Sequence, residues 1–156
     1  MVEAQIDHAD VKIHPPMLML IHVLAAFLLS WLIPFHVGQP KITEMLGAVL
    51  VMAGLALAFT AIRQFRLANT TVDPHGSVSA LVMSGPYRFS RNPIYVGLTC
   101  ALIGLPLALG TWWGAVLSPV FVLGLNALVI QHEEAYLEKK FGAAYTGYKS
   151  RVRRWL

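Results

Sequence analysis

The sequence predicts an all-α membrane protein, a single domain of about four transmembrane helices with one substantial polar loop and a basic tail. Three observations predict it. Of 156 residues, 56% are hydrophobic and 13% charged, where an ordinary soluble domain carries roughly a quarter charged residues. The apolar residues gather in four stretches, 16–35, 43–62, 93–109 and 112–130. The cations gather outside them, in the connection 63–91 and in the tail after Ile130.

A span needs roughly 20 apolar residues to cross a ~30 Å hydrocarbon core, so the first, second and fourth stretches are long enough and the third is slightly short. The first follows Glu3, Asp7, Asp10, Lys12 and Pro15 and is too long for a signal-peptide core, so it reads as a retained span. Thr43 is expected to cap the second helix, with Glu44 well placed in its first turn. Pro86 and Pro93 remove backbone donors and push the preceding residue out of the helical region, which predicts turns at Gly85-Pro86 and Asn92-Pro93. The third helix then starts at Pro93, a favoured first position, with Asn92 as its N-cap. Gly110-Thr111 joins the third and fourth helices into a hairpin, and Pro106 and Pro119 should bend them. In the tail 143–156, Tyr145, Tyr148, Val152 and Trp155 fall at helical spacing with Lys149, Arg151, Arg153 and Arg154 between them, the pattern of an interfacial amphipathic helix.

Charge placement predicts orientation. Arg63, Arg66, Arg88 and Arg91 outweigh Asp73 in the middle connection. Lys139, Lys140, Lys149, Arg151, Arg153 and Arg154 outweigh Glu133, Glu134 and Glu138 in the tail. The links 34–42 and 110–111 contain only Lys41, so the positive-inside rule assigns the middle loop, the tail and the N-terminus to the cytoplasm, as in a cytoplasmic or inner membrane. The basic balance, a pI near 9.5, follows from topology and anionic lipid, and nucleic-acid binding is not expected.

The chemistry-bearing residues collect at that predicted cytoplasmic face. The open N–H groups of the turn at Pro93, with Arg88 and Arg91, suit an anionic group. Glu133 and Glu134 follow the fourth span, and adjacent helical residues point about 100° apart, so one can face a pocket while the other braces a neighbour. Three and four residues on from Glu133 are Tyr136 and Leu137, and from Glu134 Leu137 and Glu138; neither glutamate has a downstream cation at helical spacing. Their charge needs cations from elsewhere, and Arg88 and Arg91 or a bound cationic ligand are the obvious candidates. Tyr87 and Tyr95 flank the proline turns, and Gly97 allows a ligand or another backbone to come close. His75, beside Pro74 and Gly76, either deprotonates a nucleophile or only makes a turn. The histidines are scattered without metal-ligand spacing, and no metal is expected. His75 and Arg88 are the candidate catalytic residues.

The elements Gly85-Pro86-Tyr87-Arg88, Arg91-Asn92-Pro93-Ile94-Tyr95-Val96-Gly97, His132-Glu133-Glu134-Ala135-Tyr136-Leu137 and Phe141-Gly142-Ala143-Ala144-Tyr145 with Tyr148 occur in the order and spacing of a known family. The stretch from about residue 70 to the end resembles the integral-membrane methyltransferases that include isoprenylcysteine carboxyl methyltransferase and the phospholipid N-methyltransferases. Asn92 stands where the isoprenylcysteine enzymes usually carry histidine. The resemblance implies that residues 1–69 supply the N-terminal helices and 70–156 bind S-adenosyl-L-methionine. It implies that Glu133 and Glu134 help hold the cofactor, that Arg91, Asn92, Pro93, Ile94, Tyr95 and Gly97 with Tyr87 line its pocket, and that the tail closes over it through Tyr145, Tyr148 and Arg153. The expected reaction is methyl transfer to a lipid or lipid-like acceptor entering from the bilayer. Two other classes remain open: an NADPH-dependent protein like the sterol reductases, whose C-terminal region is similar, and a non-catalytic membrane adaptor of the same fold.

Overall fold

The computed structural model describes residues 7–36, 39–73 and 75–156; Glu3 and Pro74 lie outside them. The described residues form α1 (Pro15–Leu32), α2 (Pro40–Leu67), a 3₁₀ turn at Gly85–Arg88, α3 (Pro93–Ala108), α4 (Trp113–Leu125), α5 (Gln131–Phe141) and α6 (Ala143–Lys149). A π-helical segment, Asn126–Ile130, runs α4 into α5 without a break. No strand occurs among the described residues, as the all-α prediction requires.

Among the described residues, three helices are long and apolar enough to cross a membrane: α1, α2 and the joined Trp113–Phe141 helix. At 16 residues, α3 spans about 24 Å, short of a ~30 Å core, in keeping with its shorter apolar stretch. Proline opens α1, α2 and α3, because its fixed φ suits the first turn and its missing donor has no partner to lose there. This displaces one expected cap. Pro40 starts α2 a turn before Thr43, whose hydroxyl instead donates to the Pro40 carbonyl at 2.9 Å from inside the helix.

The membrane half is organised around α3, which packs along α2 on one side and α4 on the other, with α1 against α4 and α3. Along the α2–α3 contact, Gly47 and Gly54 are buried at seven-residue spacing opposite Gly104 and Gly97. A methyl group on Gly104 would meet the Gly47 carbonyl at 2.7 Å, and one on Gly54 the Gly97 carbonyl at the same distance. Close backbone approach therefore needs glycine on both helices, the small-residue solution to packing where lipid tails are as apolar as leucine. The exposed apolar side chains of α1 and α2, such as Leu24, Leu28, Met52 and Phe59, face where lipid would lie.

Two segments depart from simple helices. Before α1, the chain from Ala9 to His14 is a strap: Ala9 and Val11 are buried with Tyr95, Phe121, Val129 and Ile130, and the Lys12 N–H donates to the Leu128 carbonyl at 3.1 Å. Leu128 lies in the π segment, whose wider turn loosens the helix's own bonding. At the other end, the amphipathic helix expected over 143–156 stops at Lys149, and the chain passes through a turn over 150–152 that sets Arg153 in a parallel bridge to Ser90. The reason is competition for carbonyls. Those of Lys149 and Val152 are taken by the Arg91 guanidinium, that of Arg153 by the Arg91 N–H, and that of Arg154 by Ser90 and Asn92.

Candidate active site

The 3₁₀ turn, the start of α3, α5 and α6 meet at one end of the helices and enclose a cleft of about 850 Å³ counting its open mouth. Gly85, at φ +58, turns the chain beside Gln64 of α2. Tyr87 is thereby buried, its ring edge-on to Phe65 at 5.5 Å and its carbonyl accepting the Tyr148 hydroxyl at 2.7 Å. Asn92 is the N-cap of α3, but its side-chain NH₂ goes to the Arg154 carbonyl at 3.0 Å instead of capping the helix.

The paired glutamates divide as their 100° separation requires. Glu134 is buried between two guanidiniums: Arg91 Nη2 at 2.8 Å from Oε1, and Arg154 in a bidentate grip with Nε 3.0 Å from Oε1 and Nη2 2.7 Å from Oε2. Glu133 turns toward the cleft, where Oε1 accepts the Tyr95 hydroxyl at 2.6 Å. Among the described residues no cation pairs with Glu133. The Glu134 carboxylate holds the Arg154 guanidinium more firmly protonated than usual. Burial pushes the phenols of Tyr87 and Tyr145 well up and that of Tyr148 to about 12, so these tyrosines are neutral donors at any physiological pH.

Of the residues singled out in the sequence, Tyr87, Arg91, Asn92, Ile94, Tyr95, Glu133, Glu134, Tyr145 and Tyr148 line this cleft. The others sit elsewhere. Pro93 is buried at the foot of α3, and Gly97 faces the α2 backbone, the second of the two approaches it was expected to permit. The Arg153 side chain is exposed, and its contribution is the carbonyl that accepts the Arg91 N–H at 2.9 Å. Arg88 is exposed on a separate shallow groove with Met83, Tyr148, Arg151 and Val152. His75 is exposed on the polar loop, 3.6 Å from Asp73 and ring to ring with His14 at 4.4 Å.

Sequence reasoning missed Arg154: the resemblance points to its neighbour Arg153, and the guanidinium that reaches Glu134 is that of Arg154. It also missed the apolar wall from the strap and the polar loop, Ala9, Val78, Ala80, Leu81 and Val82. The signal for that wall was the cluster of apolar residues Val78, Ala80, Leu81 and Val82, broken only by Ser79, inside an otherwise polar loop. At the mouth, Asp7 accepts from Lys140 Nζ at 2.7 Å and from Ser77, while Tyr136 receives the Val78 N–H at 3.2 Å. The latch holds strap, loop and α5 together, and the Lys140 hydrogen bond brings the Asp7 carboxyl down to about 2.

A tyrosine- and aliphatic-walled cleft with one unpaired carboxyl is suited to a partly apolar ligand that carries positive charge. The family model for phospholipid methyltransferases matches residues 42–144. An uncharacterized protein of Haemophilus influenzae is 42% identical over 66 residues, all of that protein's length and 40% of this chain. The protein-S-isoprenylcysteine O-methyltransferase of Schizosaccharomyces pombe is 29% identical over 108 residues, 62% of this chain and 46% of that enzyme, so the chain spans under half of that relative's length. No solved structure matches significantly. With two thirds of its length under the family model and its helices built for a bilayer, the chain belongs to the phospholipid methyltransferase family and is by kinship a membrane methyltransferase.

Proposed function

We propose that the cleft binds S-adenosyl-L-methionine and presents its methyl group to a lipid or lipid-like acceptor that enters from the bilayer, on the cytoplasmic side of the membrane. The observation that carries this reading is the division of the glutamates. Glu134 is neutralised by Arg91 and Arg154, while Glu133 faces the cleft with a tyrosine hydroxyl as its partner. A carboxylate so placed favours a cation, and the proposed cofactor carries an ammonium and a sulfonium.

The cofactor supplies an activated methyl and its own leaving group, so the protein's work is alignment and exclusion of water. Glu133, held by Tyr95, anchors the cationic end. Tyr87, Tyr145 and Tyr148 form a neutral aromatic wall that excludes water without competing for charge. The apolar residues of loop and strap, Val78, Val82 and Ala9, would hold an acyl or prenyl chain of the acceptor against the cleft wall. His75 stands outside the cleft lining, and the reading assigns it no proton.

Calorimetry on the full chain in detergent tests the proposal with S-adenosylhomocysteine and NADPH. S-adenosylhomocysteine is expected to bind, and Glu133→Gln to weaken it about ten- to a hundredfold, the worth of a charge-assisted contact. No response at millimolar ligand beside a clear response to NADPH would replace the methyltransferase mechanism with the reductase one. Incubation with a lipid extract and labelled methyl donor then identifies the acceptor.

A further inference from the structure

Outside the cleft, the fold assembles a group of donors that the sequence scatters. His14 precedes α1, and Asp73 and His75 lie 59 and 61 positions later on the polar loop, yet one donor atom from each falls within 4.8 Å of the others. The strap brings them together. Its backbone is pinned by the Lys12 to Leu128 hydrogen bond, and the His14 carbonyl is fixed by the N–H groups of Met17 and Leu18 at 3.0 and 3.1 Å. On the loop, the Asp73 N–H donates to Thr71 Oγ1 at 3.0 Å and the His75 N–H to Asp73 Oδ1 at 3.0 Å, so aspartate and histidine are held on one side of a turn. The His14 and His75 ring centroids lie 4.4 Å apart with the planes tilted by 43°, and the His8 ring lies 6.0 Å from His75.

Tetrahedral coordination with metal–ligand distances of about 2.1 Å sets donors roughly 3.4 Å apart, so small side-chain rotations would close this group on an ion. Two imidazoles and one carboxylate are borderline donors that suit zinc-like ions, and one position remains for water or His8; magnesium and calcium want oxygen cages. We propose that His14, Asp73 and His75 form a site for one divalent transition-metal ion that staples the N-terminal strap to the polar loop. The strap contributes Ala9 and the loop contributes Asp73 itself to the cleft lining, so the ion would fix one side of the mouth through which ligands pass. The site is independent of what occupies the cleft.

The test uses the untagged full chain in detergent, stripped with a chelator and titrated with Zn²⁺ by calorimetry, with Co²⁺ as the spectroscopic probe and Mg²⁺ as the negative control. One Zn²⁺ per chain is expected, with Co²⁺ giving tetrahedral visible bands. His14→Ala and His75→Ala should each lower the affinity by at least about tenfold, since even outer-shell changes cost that much. His36→Ala should change nothing. Because His14 and His75 are exposed, the metal-free variants should melt with the parent. In the parent, Zn²⁺ should slow hydrogen exchange in residues 7–14 and 70–82; in the His14→Ala/His75→Ala double variant it should not. Absence of Zn²⁺ binding, affinity unchanged in the double variant, or binding that leaves exchange in both segments unaltered each overturns the proposal. S-adenosylhomocysteine binding, measured alongside, reports separately on the cleft.

Discussion

The membrane half and the polar end hold their helices together by opposite means. Along α2 and α3, the contact is made by what is missing: glycines let the two backbones touch, with only short side chains such as Ala58 and Cys100 and the branched Val51 filling in beside them. At the polar end, segments about sixty residues apart are joined by long side chains reaching for backbone carbonyls, Arg91 to Lys149 and Val152, Asn92 to Arg154, Tyr148 to Tyr87. The contrast follows from the solvent. In lipid, burying apolar area drives nothing, and only shape and dispersion distinguish one helix pairing from another. At the interface water competes for every polar group, and charge-assisted bonds in partly buried positions supply the strength that shape supplies in the bilayer.

The largest expected effect tests the seam. Gly47→Val places a branched side chain against the α3 backbone at Gly104 and Ala108, where no flexible neighbour can yield. Overpacking of that kind should cost about 3 kcal/mol or more. The loss should appear as a lower melting temperature in detergent that does not change with salt. A salt-dependent loss would break the comparison.

The next effect belongs to the polar end. Glu134→Gln leaves Arg91, whose side chain is only 9% exposed, without its carboxylate. Buried pairs broken on one side lose about 3–5 kcal/mol, but Arg154 is a third exposed and water will recover part of it, so about 2 kcal/mol is expected. Cofactor affinity should fall with stability for Glu134→Gln, and without it for Glu133→Gln. Equal melting temperatures for the two variants would erase the division of labour between the glutamates. Tyr148→Phe removes the donor to the Tyr87 carbonyl and should cost about 1 kcal/mol, read in the same melt.

The smallest effect is the latch. The Asp7 carboxyl is lowered from 3.8 to about 2 by Lys140 and Ser77 and is exposed, so its contribution is fully present above pH 3.8 and disappears as pH falls through about 2. Asp7→Asn should therefore speed hydrogen exchange in the strap and loop at neutral pH without a measurable change in global melting.

Much of this was legible in the sequence. Apolar length and opening prolines mark the helices, and the proline-tyrosine turn and paired glutamates mark the residues that meet at the cleft. What was hidden depends on distance or on phase. Arg153 and Arg154 are neighbours, and helical spacing turns both away from the face of Tyr145, Tyr148, Val152 and Trp155; it is the end of the helix at Lys149, with Arg91 taking the carbonyls of Lys149 and Val152, that brings Arg154 to Glu134. The strap was invisible because Ala9 and Val11 are two small apolar residues among charges. With the strap hidden, His14 had no reason to be placed beside Asp73 and His75.

The π segment at Asn126–Ile130 acts as a phase shifter on the one helix that runs from the lipid-facing half into the cleft. A π turn takes up one residue more than an α turn, which rotates everything after it by about 100°. That angle equals the offset between two adjacent side chains. Tightening the segment to a plain α-helix at constant length would turn Glu133 to where Glu134 now points and aim His132 at the cleft, whereas deleting one residue there, Ala127 for example, would remove the π turn and leave both glutamates as they are. The direction of each glutamate is thus set upstream of the pair, by the wider turn that takes up one extra residue in the helix that carries it.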